Sequence, residues 1–159
     1  MFFEFIQSDP IVRVPIYIGI GLCTECLFTA ISDLISPSFL GKPKAEKRDL
    51  RATGYTFLWM IPIYALLVLM EPLIAIVAPL PWILRGFIYM VLIFGVEFAS
   101  GAVLQKLIGH CPWDYSYNRF SIKGWIRLDF APFWFAFGLC IEALAPKLID
   151  LTPYLRIVF

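Results

Sequence analysis

Glu25 and Glu97 are the side chains in this sequence best placed to do chemistry, because each lies near the middle of a long apolar stretch. An ionised carboxylate at the centre of a bilayer is costly unless it is paired or hydrated. Such a residue therefore faces the interior of a helix bundle and marks a pathway or a binding site. Four residues beyond each acid stands a small residue, Thr29 or Gly101, one helical turn away on the same face. Two carboxyls brought together at that depth would suit a proton, a cation or a hydrogen-bonding substrate. The competing expectation is that each glutamate is protonated and bonds across to a neighbouring helix, serving only to join the helices.

The elements that must position these acids follow from composition. The chain has 159 residues, 60% of them hydrophobic, and a mean hydropathy of +0.81, which places it among integral membrane proteins. A spanning helix needs about 20 mostly apolar residues, and four such stretches occur, at 15–36, 55–78, 83–108 and 125–144. The expected fold is all-α: a bundle of four transmembrane helices in a single membrane domain over 1–159. The first connection carries Lys42, Lys44, Lys47, Arg48 and Arg51. Such a cationic loop is retained in the cytoplasm, so 37–53 is expected inside and both termini outside, in a bacterial-type inner membrane or a plasma membrane. The first apolar run is expected to be kept, since an acidic start and the lack of a small-residue cleavage site do not describe a signal peptide.

The chain also carries the marks of a duplication. Gly54-Tyr-Thr-Phe-Leu58-Trp-Met-Ile-Pro62-Ile-Tyr64 matches Gly124-Trp-Ile-Arg-Leu128-Asp-Phe-Ala-Pro132-Phe-Trp134 as G-[YW]-x-x-L-x-x-x-P-x-[YW]. With Glu25 and Glu97 at similar distances upstream, two tandem helical hairpins are expected, over about 11–79 and 83–149, related by an axis along the membrane normal. Pro62 and Pro132 are each expected to free the carbonyl four residues back, on Leu58 or Leu128. The expected binding set is then Glu25, Glu97, Thr29, Gly101, Pro62, Pro132 and Trp134. Glu71 and Glu142 fall nearer the outer ends and Asp33 at an inner end, where water is expected to solvate them.

Between the third and fourth stretches lies Cys111-Pro112-Trp113-Asp114-Tyr115-Ser116, followed by Gly124-x-Ile126-x-Leu128-x-x-x-Pro132-x-Trp134. With Gly21-x-x-x-Glu25-x-x-Phe28-Thr29, Gly54-x-Thr56-x-x-Trp59-x-x-Pro62-x-Tyr64 and Glu97-Phe98-x-x-Gly101, this run resembles the bacterial family described as "putative ABC-transporter type IV" and its animal relatives, the transmembrane protein 229 family. The resemblance covers most of the chain and implies a small permease. Trp113, Asp114, Tyr115 and Ser116 are expected at the cytoplasmic mouth of the bundle with His110, either as interfacial aromatics and turn formers or as contacts to a substrate or headgroup.

Other chemistry finds little support. Cys23 and Cys26 flank Glu25 at helical spacing, but Cys111 lies at a different depth, so packing rather than a metal site is expected. No cofactor is expected. A net charge of +1 without a basic stripe gives no reason to propose a nucleic-acid partner. No nucleophile, base and orienting group stand at a defensible spacing, so catalysis is not expected. Gly41-Lys42 lacks the spacing of a phosphate-binding loop, so any ATPase must be a separate chain. Besides the lipid bilayer, the expected partner is a second copy of the chain, since four helices alone enclose little of a path. The two other classes left open are a non-catalytic membrane interaction protein and a lipid-active enzyme.

Overall fold

The computed structural model describes residues 9–35 and 50–156. The expectations for the N-terminal residues, for the cationic segment up to residue 49 and for the last three residues lie outside the described residues. Among the described residues, four spans are long and apolar enough to cross a membrane: Pro10–Ile35, Met60–Val77, Trp82–Ile108 and Leu128–Leu155. Only 22–28% of each span's apolar window is buried inside the protein, so most of that surface must face lipid. A helix can do this because its backbone groups are satisfied within the segment.

The first span is a 3-10 turn, Pro10–Arg13, leading into α1, Val14–Ile35. The second is composite, with α2 (Met60–Ala65), a 3-10 turn (Leu66–Leu69) and α3 (Met70–Val77). Pro72 explains the interruption: it has no N–H to offer Val68, and the chain tightens in the turn before it. Helix α4, Trp82–Ile108, starts after Pro81 and ends at Gly109, whose φ of 82° closes the helix in the left-handed conformation. A two-stranded hairpin follows, β1 (Ser121–Ile122) pairing antiparallel with β2 (Ile126–Arg127). A 3-10 turn, Leu128–Phe130, then opens α5, Ala131–Leu155.

Two expected boundaries move. The second helix starts at Met60 rather than at residue 55, because Pro62 favours the first turn of a helix, where a missing N–H costs nothing. The fourth begins after the hairpin and runs on to Leu155, well past 144. Its last turns are amphipathic, burying Ala145, Leu148 and Thr152 while exposing Pro146, Lys147 and Asp150, which single-window hydropathy does not register. The closest helix packing is α1 on α2 and α4 on α5. A core of Tyr17, Tyr64, Leu67, Val68, Phe137, Ile141 and Leu148 joins the first, second and fourth spans.

Candidate functional site

The expected carboxylates come together. Glu25 from α1 and Glu97 from α4 line one cavity of about 190 Å³, with Thr29 and Trp134 from the expected set and Trp113, Asp114 and Tyr115 from the expected mouth. Phe28, Phe57, Tyr64, Phe130, Phe133 and Phe137 complete largely aromatic walls. No Lys, Arg or His lines it among the described residues.

Glu25 Oε2 accepts from the Thr56 hydroxyl at 2.6 Å and from Tyr64 at 3.1 Å. Glu97 is less well served. Its Oε2 and the indole Nε1 of Trp134 are both buried without a partner in hydrogen-bond geometry, although Trp134 and the Tyr115 phenol both approach this carboxyl. Natively folded proteins leave few buried polar atoms unpartnered, and here two share one cavity wall. Thr29 lines the cavity, but its hydroxyl also clips residue 55 to α1, accepting from Tyr55 N at 2.9 Å and donating to Tyr55 O at 3.0 Å.

The loop after α4 turns into the bundle end. Trp113 is buried within the protein, its Nε1 donating to Trp125 O at 2.9 Å. Gly124, with φ at 75°, explains the coupling of this loop to the hairpin: a Cβ there would lie 2.5 Å from Ser116 Oγ and 2.9 Å from Asp114 Oδ1. Its carbonyl accepts from Tyr115 N at 2.9 Å. Hydrogen bonds from the Ser116 hydroxyl and amide hold the Asp114 carboxyl below the usual carboxylate range, so this rim acid is charged at neutral pH. Burial first, and the nearby Glu97 second, push the Tyr115 phenol well up, which keeps it a neutral donor.

Other expected members lie elsewhere. Gly101 packs against Trp125 and Cys111. Ser116 is spent on the turn with Asp114, and His110 is exposed. Pro62 and Pro132 sit in first turns rather than inside helices, and they do not free the two carbonyls. Leu58 O accepts from Ile61 N at 3.1 Å, and Leu128 O accepts from the Ala131 amide. In both places the residue three positions on supplies the donor that proline lacks.

Glu71, Glu142 and Asp33 are not solvated ends. Asp33 is buried. Glu71 is held by Arg13, which is fully buried and donates from Nε at 2.8 Å and Nη2 at 2.6 Å, while Tyr17 donates at 3.0 Å. The remaining guanidinium nitrogen, Nη1, donates to Thr152 Oγ1 at 2.6 Å, tying the start of the first span to α3 and α5. Glu142 has the same arrangement, with Arg85 bidentate at 2.8–3.1 Å and Tyr89 donating at 2.6 Å. Arg13-x-x-x-Tyr17 and Arg85-x-x-x-Tyr89 stand one helical turn apart in sequence, each on one helix face. That repeated pair was the available signal for both clamps, which the sequence reading missed.

The fold and the cavity define a small four-span integral membrane protein with acidic groups inside its bundle. More specifically, the chain belongs to the family described as "Putative ABC-transporter type IV", which matches residues 14–155. That membership makes it transporter-like. No solved structure matches the chain.

Proposed function

We propose that the protein is a permease-like subunit whose ligand site is the cavity shared by Glu25 and Glu97. The observation that carries this reading is Glu97 Oε2, a buried acceptor without a donor on the wall of a cavity that two other acids line. A carboxyl serving only to join helices would be expected to find its partner on the neighbouring helix, as Glu71 and Glu142 do. The two Arg-Tyr-Glu clamps, with the matched Gly54 and Gly124 segments, support reading the chain as two tandem hairpins. On that reading the cavity lies between the repeats, as in parallel-repeat transporters.

With the cationic first loop in the cytoplasm, the cavity mouth at Asp114 opens inward and both termini lie outside an inner or plasma membrane. Assembly with a second copy would enclose a fuller path. If transport is driven by ATP, the ATPase is a separate chain. An enzyme reading is less well supported, since Ser116 is held in its turn and His110 is exposed rather than among the cavity's lining residues.

The test is substrate-driven proton or ion movement in vesicles loaded with an indicator dye, using wild type and Glu25→Gln/Glu97→Gln. The expected result is flux for wild type alone, with helical content unchanged in the variant. Equal flux in both, or none in wild type across a solute panel, would favour a membrane interaction protein.

A further inference from the structure

The chemistry of the cavity wall narrows the ligand beyond a generic substrate. Three acids line it, Glu25, Glu97 and Asp114, with no cationic side chain opposing them among the described residues. An anion would be repelled, and a neutral solute would bring no charge to match a carboxyl at Glu97, where a cation would form a buried pair. A hard metal cation is also a poor match. Calcium or magnesium asks for roughly six oxygen ligands, whereas most of this wall is ring carbon, with Phe28, Phe133, Trp113, Trp134 and Tyr64 contributing. Aromatic rings beside carboxylates match a cation whose charge is spread over carbon and nitrogen. A bare proton would need no cavity of about 190 Å³.

A second feature adjoins the first. A groove of about 100 Å³ shares Tyr64, Glu97, Trp113 and Trp134 with the cavity and continues between the second and third spans over Met70, Ile93 and Val96. Its outer lip is formed by Leu66 and Leu92, 44% and 46% exposed on the lipid-facing surface. The groove therefore joins an acidic aromatic chamber to the hydrocarbon region.

From this juxtaposition we infer that the site takes an amphiphilic organic ammonium ion, its charged nitrogen at Glu97 and Glu25 and its apolar part in the groove towards Leu66 and Leu92. The inference rests on the cavity being a ligand site, and it does not require that the ligand be transported. The ammonium could come from a free amine or from an aminophospholipid headgroup, because both offer the same N–H donors and charge.

The test is equilibrium binding of radiolabelled N,N-dimethylbenzylammonium to the full chain in phosphatidylglycerol nanodiscs, corrected with empty discs. Its neutral carbon isostere, isobutylbenzene, serves as the control. Saturable binding of the ammonium alone is expected, weakened roughly thirtyfold by Glu97→Gln, since truncating one partner of a buried charge pair costs that much. Asp114→Asn, on the exposed rim, is expected to weaken binding about threefold, as for a solvent-screened charge. Replacing phosphatidylglycerol with phosphatidylethanolamine separates the sources: competition by the lipid names the headgroup, and unchanged binding names the free amine. Equal binding of the isostere, no saturable ammonium binding, or full affinity in a folded Glu97→Gln protein would overturn the inference. Ammonium binding without flux of any solute would instead retain the inference and remove the transport reading.

Discussion

Four glutamates lie within the spans, and the two ends of the bundle treat them in opposite ways. At the end where the first span begins and the last one finishes, Glu71 and Glu142 each meet a bidentate arginine and a tyrosine hydroxyl. Towards the hairpin end, Glu25 has only hydroxyl donors, and Glu97 keeps one oxygen without any. The difference teaches how to tell a scaffold acid from an available one. A carboxylate with its charge matched by arginine has nothing left to offer a ligand. One that lacks a cation beside an open cavity does.

The largest expected effect comes from breaking the buried clamp. Arg13→Met leaves Glu71 charged and enclosed, so the variant should lose about 3–5 kcal/mol of stability in a detergent unfolding titration, the usual cost of orphaning one member of a buried ion pair. A loss close to zero would mean that Glu71 is not held as a scaffold acid. Arg85→Met should cost clearly less, because that pair is a fifth exposed and partly screened. Equal losses in the two variants would show that burial does not set the hierarchy.

Glu97→Gln should change stability by less than about 1 kcal/mol, or raise it, since an amide of the same shape replaces a buried carboxyl that no cation holds. This is the sharpest contrast with Arg13, and a strongly destabilised Glu97→Gln protein would move that acid into the scaffold class. The smallest effect is at the rim. Asp114 has a depressed carboxyl pKa in the folded chain, so its contribution is present above the ordinary carboxylate value of about 3.9 and is lost only as pH falls through the lower folded value. Acid titration of the wild type against Asp114→Asn should therefore diverge only above that window.

Much of this contrast was legible in the sequence. Spans of about 20 apolar residues announce themselves through hydropathy, and Glu25 and Glu97 stand out because nothing around them is charged. Their convergence on one cavity followed from treating buried acids as interior-facing. The clamps were harder, because Arg13 and Glu71 are far apart in the chain and only tertiary packing joins them. The repeated Arg-x-x-x-Tyr pair is visible in the sequence, but nothing in it names the glutamate that each pair holds. Pro62 and Pro132 misled for a local reason: a proline at the first turn and a proline within a helix look alike until the helix start is known. The bond from Trp113 to Trp125 O was out of view for the same reason as the clamps, since it joins two loop segments twelve residues apart through tertiary packing.

The most direct test of the division between scaffold and site is native mass spectrometry of the protein released from mild detergent, comparing wild type with Glu25→Gln/Glu97→Gln. A defined small molecule or lipid carried by the wild type and absent from a folded, equally assembled double variant is the predicted result, and its mass would name the ligand class. The same bulk lipid and the same assembly in both proteins would contradict it, leaving all four glutamates as parts of the scaffold.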